Sequence, residues 1–173
     1  MRHYSAALPI AYVGLRILVV LNIVYAFAIL GLLTFTFINP DWMARAIAVP
    51  PGVDEPTIMA GLRWIAGLGI LATPLNHVIL TRLLAMVGTV RAGDPFLASN
   101  AERLQLIAWA SLGLQLLSMT IGAIAEWISR QDFPLHIDAG FSVNGWLAVL
   151  LTFVLARVFA EGALMREELE GTV

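Results

Sequence analysis

Residues 17–38 read ILVVLNIVYAFAILGLLTFTFI: 22 consecutive positions without a charge, polar only at Asn22, Thr34 and Thr36. At 1.5 Å per residue a helix of this length reaches about 33 Å, enough to cross a hydrocarbon core of roughly 30 Å. Three more apolar stretches follow, at about residues 58–80, 104–128 and 139–160. Arg63, Pro74, Asn76 and His77 interrupt the second, and Glu126 sits near the end of the third. The fourth is free of charge up to Ala156, and its helix is expected to continue through Arg157 toward Glu170. Inside a bilayer every backbone polar group must be bonded internally, and no stretch alternates as a barrel strand does. The fold class is therefore all-α: a polytopic membrane protein, a four-transmembrane-helix bundle in one domain spanning residues 1–173.

Composition agrees with this and narrows the function. Of the 173 residues 60% are hydrophobic and 13% charged, whereas a soluble domain is about half apolar and a quarter charged. That excludes an ordinary water-soluble enzyme. With no cysteine, disulfides, thiolate metal sites and cysteine nucleophiles are excluded as well. A net charge of −2 and the lack of any basic block argue against direct contact with nucleic acid. No cofactor motif is present: there is no phosphate-cradling loop, no Ser-His-Asp context and no paired carboxylates within a span. A non-enzymatic protein is the expectation.

The first span invites one other reading. Ala26-Phe27-Ala28 looks like a signal-peptidase site, but it lies inside the apolar run, which is too long for a signal h-region. A retained anchor is expected. Arginine placement then sets the orientation. With both termini in the cytoplasm, the inner segments hold Arg2, Arg16, Arg82, Arg91, Arg103, Arg157 and Arg166, and the outer loops only Arg45 and Arg130. Trp42, Trp64 and Trp127 fall at the outer interface, where an aromatic belt belongs. The outer loop 39–57 holds Pro40, Pro50, Pro51, Gly52 and Pro56 and should lack regular structure in its second half.

The cytoplasmic connection, residues 91–103, carries the most local information. Leu83, Leu84, Met86, Val87 and Val90 continue an amphipathic helix below the membrane. Gly93 suits a left-handed helix terminus, and Pro95 cannot continue a helix. Ser99-Asn100-Ala101-Glu102 reads as a capping box for the next helix. Phe96 is expected to be buried near Leu84, Val87 and Leu104. Asn100 and Arg103 are expected to face Glu161 and Glu167 of the last helix.

A Gly-x-Pro-Phe turn followed by Asn and Arg-Leu, here Gly93, Pro95, Phe96, Asn100, Arg103 and Leu104, resembles the bacterial membrane family of unknown function numbered 2975. The C-terminal region adds Val154-Leu155-Ala156, Val158-Phe159, Gly162, Leu164 and the acidic ending Glu167-Glu168-Leu169-Glu170-Gly171-Thr172-Val173. The resemblance implies a bacterial inner-membrane protein of undetermined activity, commonly encoded beside a small helix-turn-helix regulator that it senses for or sequesters. It implies no catalytic residues. On this view Gly93, Asp94, Pro95, Phe96, Asn100 and Arg103 join Glu167, Glu168 and Glu170 of the tail, residues 166–173, in one docking surface. A polar turn and tail can equally be plain solvated ends.

Other candidates stay open between bland and functional readings. Arg63 lies about 8 Å inside its span, where it must pair, snorkel or serve a ligand; Glu126, at similar depth, is the expected partner. Asn76 and His77 follow the kink at Pro74, which frees the carbonyl of Ile70 for a side chain or water. His77 could sense pH or bind metal, but His3 and His136 are distant in sequence and no ligand set has the right spacing. Ser118-x-x-x-Gly122 with Ala125, and Gly61, Ala66, Gly67 and Gly69, permit close helix approach within the chain or between chains. Arg63, Asn22, Gln115 and Asn144 would be the polar groups of an alternative: a small transporter or channel subunit acting as an oligomer, or an accessory subunit packed among other membrane subunits. Oligomeric state is not legible. The orientation is testable: reporters fused at Val53 and Asp132 should read outside, and those at Gly93 and the C-terminus inside. An external signal from the C-terminal fusion would overturn the arginine argument.

Overall fold

The structure is a computed structural model that describes residues 7–47, 49, 52–131, 133, 135 and 137–170. Arg2, His3, Pro50, Pro51, Asp132, His136, Gly171, Thr172 and Val173 lie outside the described residues, as does the side chain of Glu170. Five helices follow in order: α1 (Ala7–Ile38), α2 (Pro40–Ala46), α3 (Glu55–Arg91), α4 (Ala98–Ser129) and α5 (Val143–Glu170). No strand occurs among the described residues. α1, α3, α4 and α5 are each long and apolar enough to cross a membrane, so the chain is a multi-pass membrane protein. Large apolar side chains such as Phe27 and Phe141 stand 70% and 71% exposed, which only a lipid surround tolerates.

Two boundaries differ from expectation. α1 begins at Ala7, so Arg16 is helical rather than a flank. α5 begins at Val143, not near 139, because Gly140 takes a left-handed φ of 127° that ends regular structure, and the Ser142 hydroxyl then accepts from the amide of Gly145 at 3.1 Å. α3 runs on to Arg91 as the amphipathic pattern requires. Within loop 39–57 the first half is the short helix α2, capped by Asn39, which accepts from the amide of Trp42 at 3.3 Å. The irregular second half still packs: Val49 and Val53 lie against a core of Ile58, Ile128 and Phe133.

Packing follows chain order. α1 lies on α3, α3 on α4 and α4 on α5, so the bundle is open, a row with α1 and α5 at its edges. Contacts at Thr36–Arg63, Asn22–Thr73, Thr89–Asn100 and Trp109–Phe153 make neighbouring helices antiparallel. One end of the row, the turn end, holds the α3–α4 connection and the free ends of α1 and α5. The loop end holds α2 and the described residues between α4 and α5.

Glycines set the separations. At Gly61 an added Cβ would stand 2.6 Å from Ile128 Cδ1, and at Gly113 3.0 Å from Leu75 Cδ1. Gly122 admits not a helix but the chain before α5: a Cβ there would meet Gly140 Cα at 2.6 Å and the carbonyl oxygen of Ala139 at 2.7 Å. Ser118, one turn earlier, accepts from the amide of Gly140 at 3.2 Å. The small-residue pair thus serves intramolecular packing. Because the obstacle is backbone, Gly122→Val should cost about 1–3 kcal/mol and lower the thermal midpoint in detergent. Gly31→Ala, with nothing within 4 Å of the new methyl, should leave it unchanged or slightly raised.

Candidate functional site

At the turn end, the chain reverses through bonds that leave few carbonyls unpaired. The amide of Gly93 donates to the carbonyl of Val90 at 3.1 Å and that of Asp94 to Thr89 at 3.0 Å. This is the paired pattern of a Schellman terminus, with Gly93 at φ 89° in the left-handed position. The Gly93 expectation from sequence is met.

The capping box is not. α4 starts at Ala98 with Leu97 as its cap, in an extended conformation that makes no side-chain cap bond. Ser99 therefore sits inside the first turn. Asn100 takes over the fastening. Its side-chain amide donates to the carbonyl of Pro95 at 2.9 Å and to Thr89 Oγ1 at 2.8 Å, and its carbonyl accepts from Arg103 Nη1 at 2.7 Å. Asn100 is 0% exposed. A fully buried amide needs its bonds met, and this set fixes where the helix can begin.

The turn also reaches α5. Phe96 stands 5.4 Å, centroid to centroid, from Phe159. It presses on Gly162, where a Cβ would lie 3.2 Å from the ring. The Asp94 carboxylate pairs with Arg166. Turn and C-terminal helix thus form one surface, but with other contacts than expected. Phe96 is 46% exposed rather than buried, although Phe159 and Gly162 of α5 cover part of the ring. Arg103 serves Asn100 instead of Glu161 or Glu167, and Glu161 pairs with Arg157 one turn away at 2.8 Å. The cross-link has reversed polarity, acid on the turn and base on the tail. Glu102, Glu167 and Glu168 remain on the exposed surface.

The pairing expected between Arg63 and Glu126 is replaced by two others. Arg63 Nη2 donates to the carbonyl of Thr36 at 2.8 Å, and its guanidinium lies 4.5 Å over the Phe37 ring. It thereby caps the C-terminus of α1, where carbonyls lack helical partners and a positive charge suits the dipole. Glu126 binds Arg130 at 2.6 Å on the exposed side of α4. The two residues share a depth, as Gly61 against Trp127 and Ile128 shows, but the helices are rotated so that Arg63 faces α1.

The remaining polar groups disperse. Asn22 donates to the carbonyl of Thr73 at 3.1 Å between α1 and α3. Gln115 is buried against Gly145 between α4 and α5, and Asn144 is exposed. At Pro74, inside the continuous helix α3, the hydroxyl of Thr73 donates to the carbonyl of Ile70 that the proline leaves without a helical partner. Among the described residues no three His, Asp or Glu side chains gather as a metal would require.

Thr89, Thr73 and Arg166 are the contributors that sequence reading missed. Thr73 had a signal, a hydroxyl directly before a proline in a span; Arg166 had none beyond its charge. Asn100→Leu keeps the volume but strips partners from Pro95, Thr89 and Arg103, so it should cost about 1–3 kcal/mol, read as a lower thermal midpoint in detergent. Ser99→Ala should change stability by less than about 0.5 kcal/mol. Equal losses from both would restore the capping box.

No curated protein and no solved structure matches the chain. A family model does, over residues 10–173, described as "Protein of unknown function (DUF2975)". That match takes in all four spans, the turn with its Asn100 fastening and the acidic C-terminal helix, and the chain belongs to this family of unknown function.

Proposed function

We propose that the protein is a non-enzymatic membrane tether of the bacterial inner membrane, with its turn end in the cytoplasm, that docks a cationic cytosolic partner. The observation that carries this reading is the packing of turn on tail: Phe96 against Phe159 and Gly162, and Asp94 on Arg166. Asp94 takes up the one basic side chain of the segment 158–170, and the exposed face beside it bears Glu102, Glu167 and Glu168. A small helix-turn-helix regulator is the favoured partner. Such a protein carries a basic face for phosphate, and an anionic membrane-bound surface competes for that same face.

The role asks nothing of bond-breaking chemistry. It asks for a rigid surface at fixed distance from the bilayer, and the Asn100 fastening supplies rigidity. Because the contact is between exposed charges, it should weaken as salt rises. In membranes solubilised with mild detergent, the tagged chain should retain the neighbouring regulator, and Glu167→Lys with Glu168→Lys should release most of it. Equal recovery from wild-type and charge-reversed protein, or none above an empty-membrane control, would sink the docking reading.

A further inference from the structure

The row of spans leaves two edges without intramolecular partners. α1 is the barer one: no residue along its most apolar stretch is buried. Its side toward α3 carries Asn22, Ile29 and Thr36. At 100° per residue, Val13, Arg16 and Val20 turn away from that side. Val13 and Val20 are 56% and 58% exposed. At the other edge α4 and α5 leave a groove of about 520 Å³ at the turn end. Ala98, Ala101, Ala156 and Ala160 line it, with Glu102 and Glu167 among its polar side chains. Methyl side chains let another helix axis come close.

The charges left without an ion pair among the described residues, on α1 and in the groove lining, are opposite in sign. Arg16 is exposed and has no ion-pair partner among the described residues. The register set by Thr36–Arg63 and Asn22–Thr73 places Arg82, also exposed and unpaired there, level with it. In the groove, Glu102 and Glu167 are exposed with no ion pair among the described residues, while Arg157 is matched by Glu161. Carried across the row by Thr89–Asn100 and Trp109–Phe153, the same register puts the segment 7–16 of α1 at the depth of the groove. Side chains on α1 lean toward its N-terminus, so Arg16 leans toward the turn end, where the carboxylates lie.

We infer that the groove between α4 and α5 receives the N-terminal half of α1 from a second copy of the chain, with Arg16 set against Glu102. The contact joins two different surfaces, so it is head-to-tail, and repeated copies close into a ring if the rotation permits. It goes beyond the docking reading and does not depend on it, since no regulator takes part.

The cysteine-free chain makes thiol cross-linking unambiguous. Val13→Cys and Ala160→Cys are placed in separate chains and co-reconstituted in phosphatidylethanolamine–phosphatidylglycerol vesicles under mild oxidation. The mixture should yield a cross-linked pair that neither variant forms alone. Adding Arg16→Glu to the Val13→Cys chain should cut the yield about fivefold, the scale of an exposed charge pair. Glu102→Arg in the acceptor chain should then restore it. No cross-link in the mixture would overturn the inference, as would equal cross-linking by Val13→Cys alone, which would mark a symmetric α1–α1 contact. An Arg16→Glu yield equal to that of the parent would also overturn it.

Discussion

A carbonyl or amide inside a bilayer has no water to bond, and that constraint explains most of the polar side chains within or beside the spans. Several of the places where a helix ends or is interrupted are closed by a neighbouring side chain. Thr73 covers the carbonyl freed at Pro74, Arg63 covers the end of α1, Asn100 stitches the turn, and Ser118 receives the chain before α5. Unpaired groups in hydrocarbon cost several kcal/mol each, so these bonds are the condition for the breaks to exist. They also account for polar residues that resemble a conduction path when read from sequence. Asn22 and Arg63 are engaged with backbone of adjacent helices, not with each other.

Between the breaks, cohesion comes from close approach. Lipid tails are as apolar as leucine, so burial alone gives helices little reason to associate. Gly69 meets Ile29 between α1 and α3, Gly61 and Gly113 meet Ile128 and Leu75 between α3 and α4, and Gly122 admits the backbone before α5. The ion pair of Asp94 with Arg166, with both side chains partly exposed, contributes about 0–1 kcal/mol. The buried amide of Asn100 outweighs it. The first orders the surface; the second holds the turn.

Sequence reading succeeded where one residue determines its own conformation. Runs of apolar residues located the spans, Gly93 declared a left-handed terminus, and the amphipathic stretch to Val90 carried α3 on to Arg91. It failed where the answer depends on rotation about a helix axis. Arg63 and Glu126 share a depth, yet a turn of the helices gives each a different partner, and no periodicity in a nearly all-apolar span reports that turn. Ser99 has the right chemistry for a cap, and lost to Asn100 because burial of the longer side chain dictated the helix start. Arg166, 72 residues from Asp94, and the side chain of Thr89, on the helix before the turn, could be recognised only once the helices were placed.

The sorting of charge at the turn end ties these features together. Arginines 16, 82 and 91 stand on the α1–α3 side, and Arg91 lies 5.0 Å over the Tyr12 ring, a contact that leaves its charge uncompensated. The α4–α5 side carries Glu102, Glu161, Glu167 and Glu168, with Arg157 on Glu161 and Arg166 on Asp94. Glu102 and Glu167 have no ion pair there among the described residues. An open row cannot bring the two sides together, since α1 and α5 are separated by the width of two helices. Like charges held on neighbouring helices repel, and a chain with a net charge of −2 has enough of both signs to cancel them internally had the spans closed into a ring. Keeping them apart leaves Arg16 and Glu102 on opposite edges of the row, neither in an ion pair among the described residues. A bilayer fixes the depth of both sides, which restricts any partner helix to lateral approach.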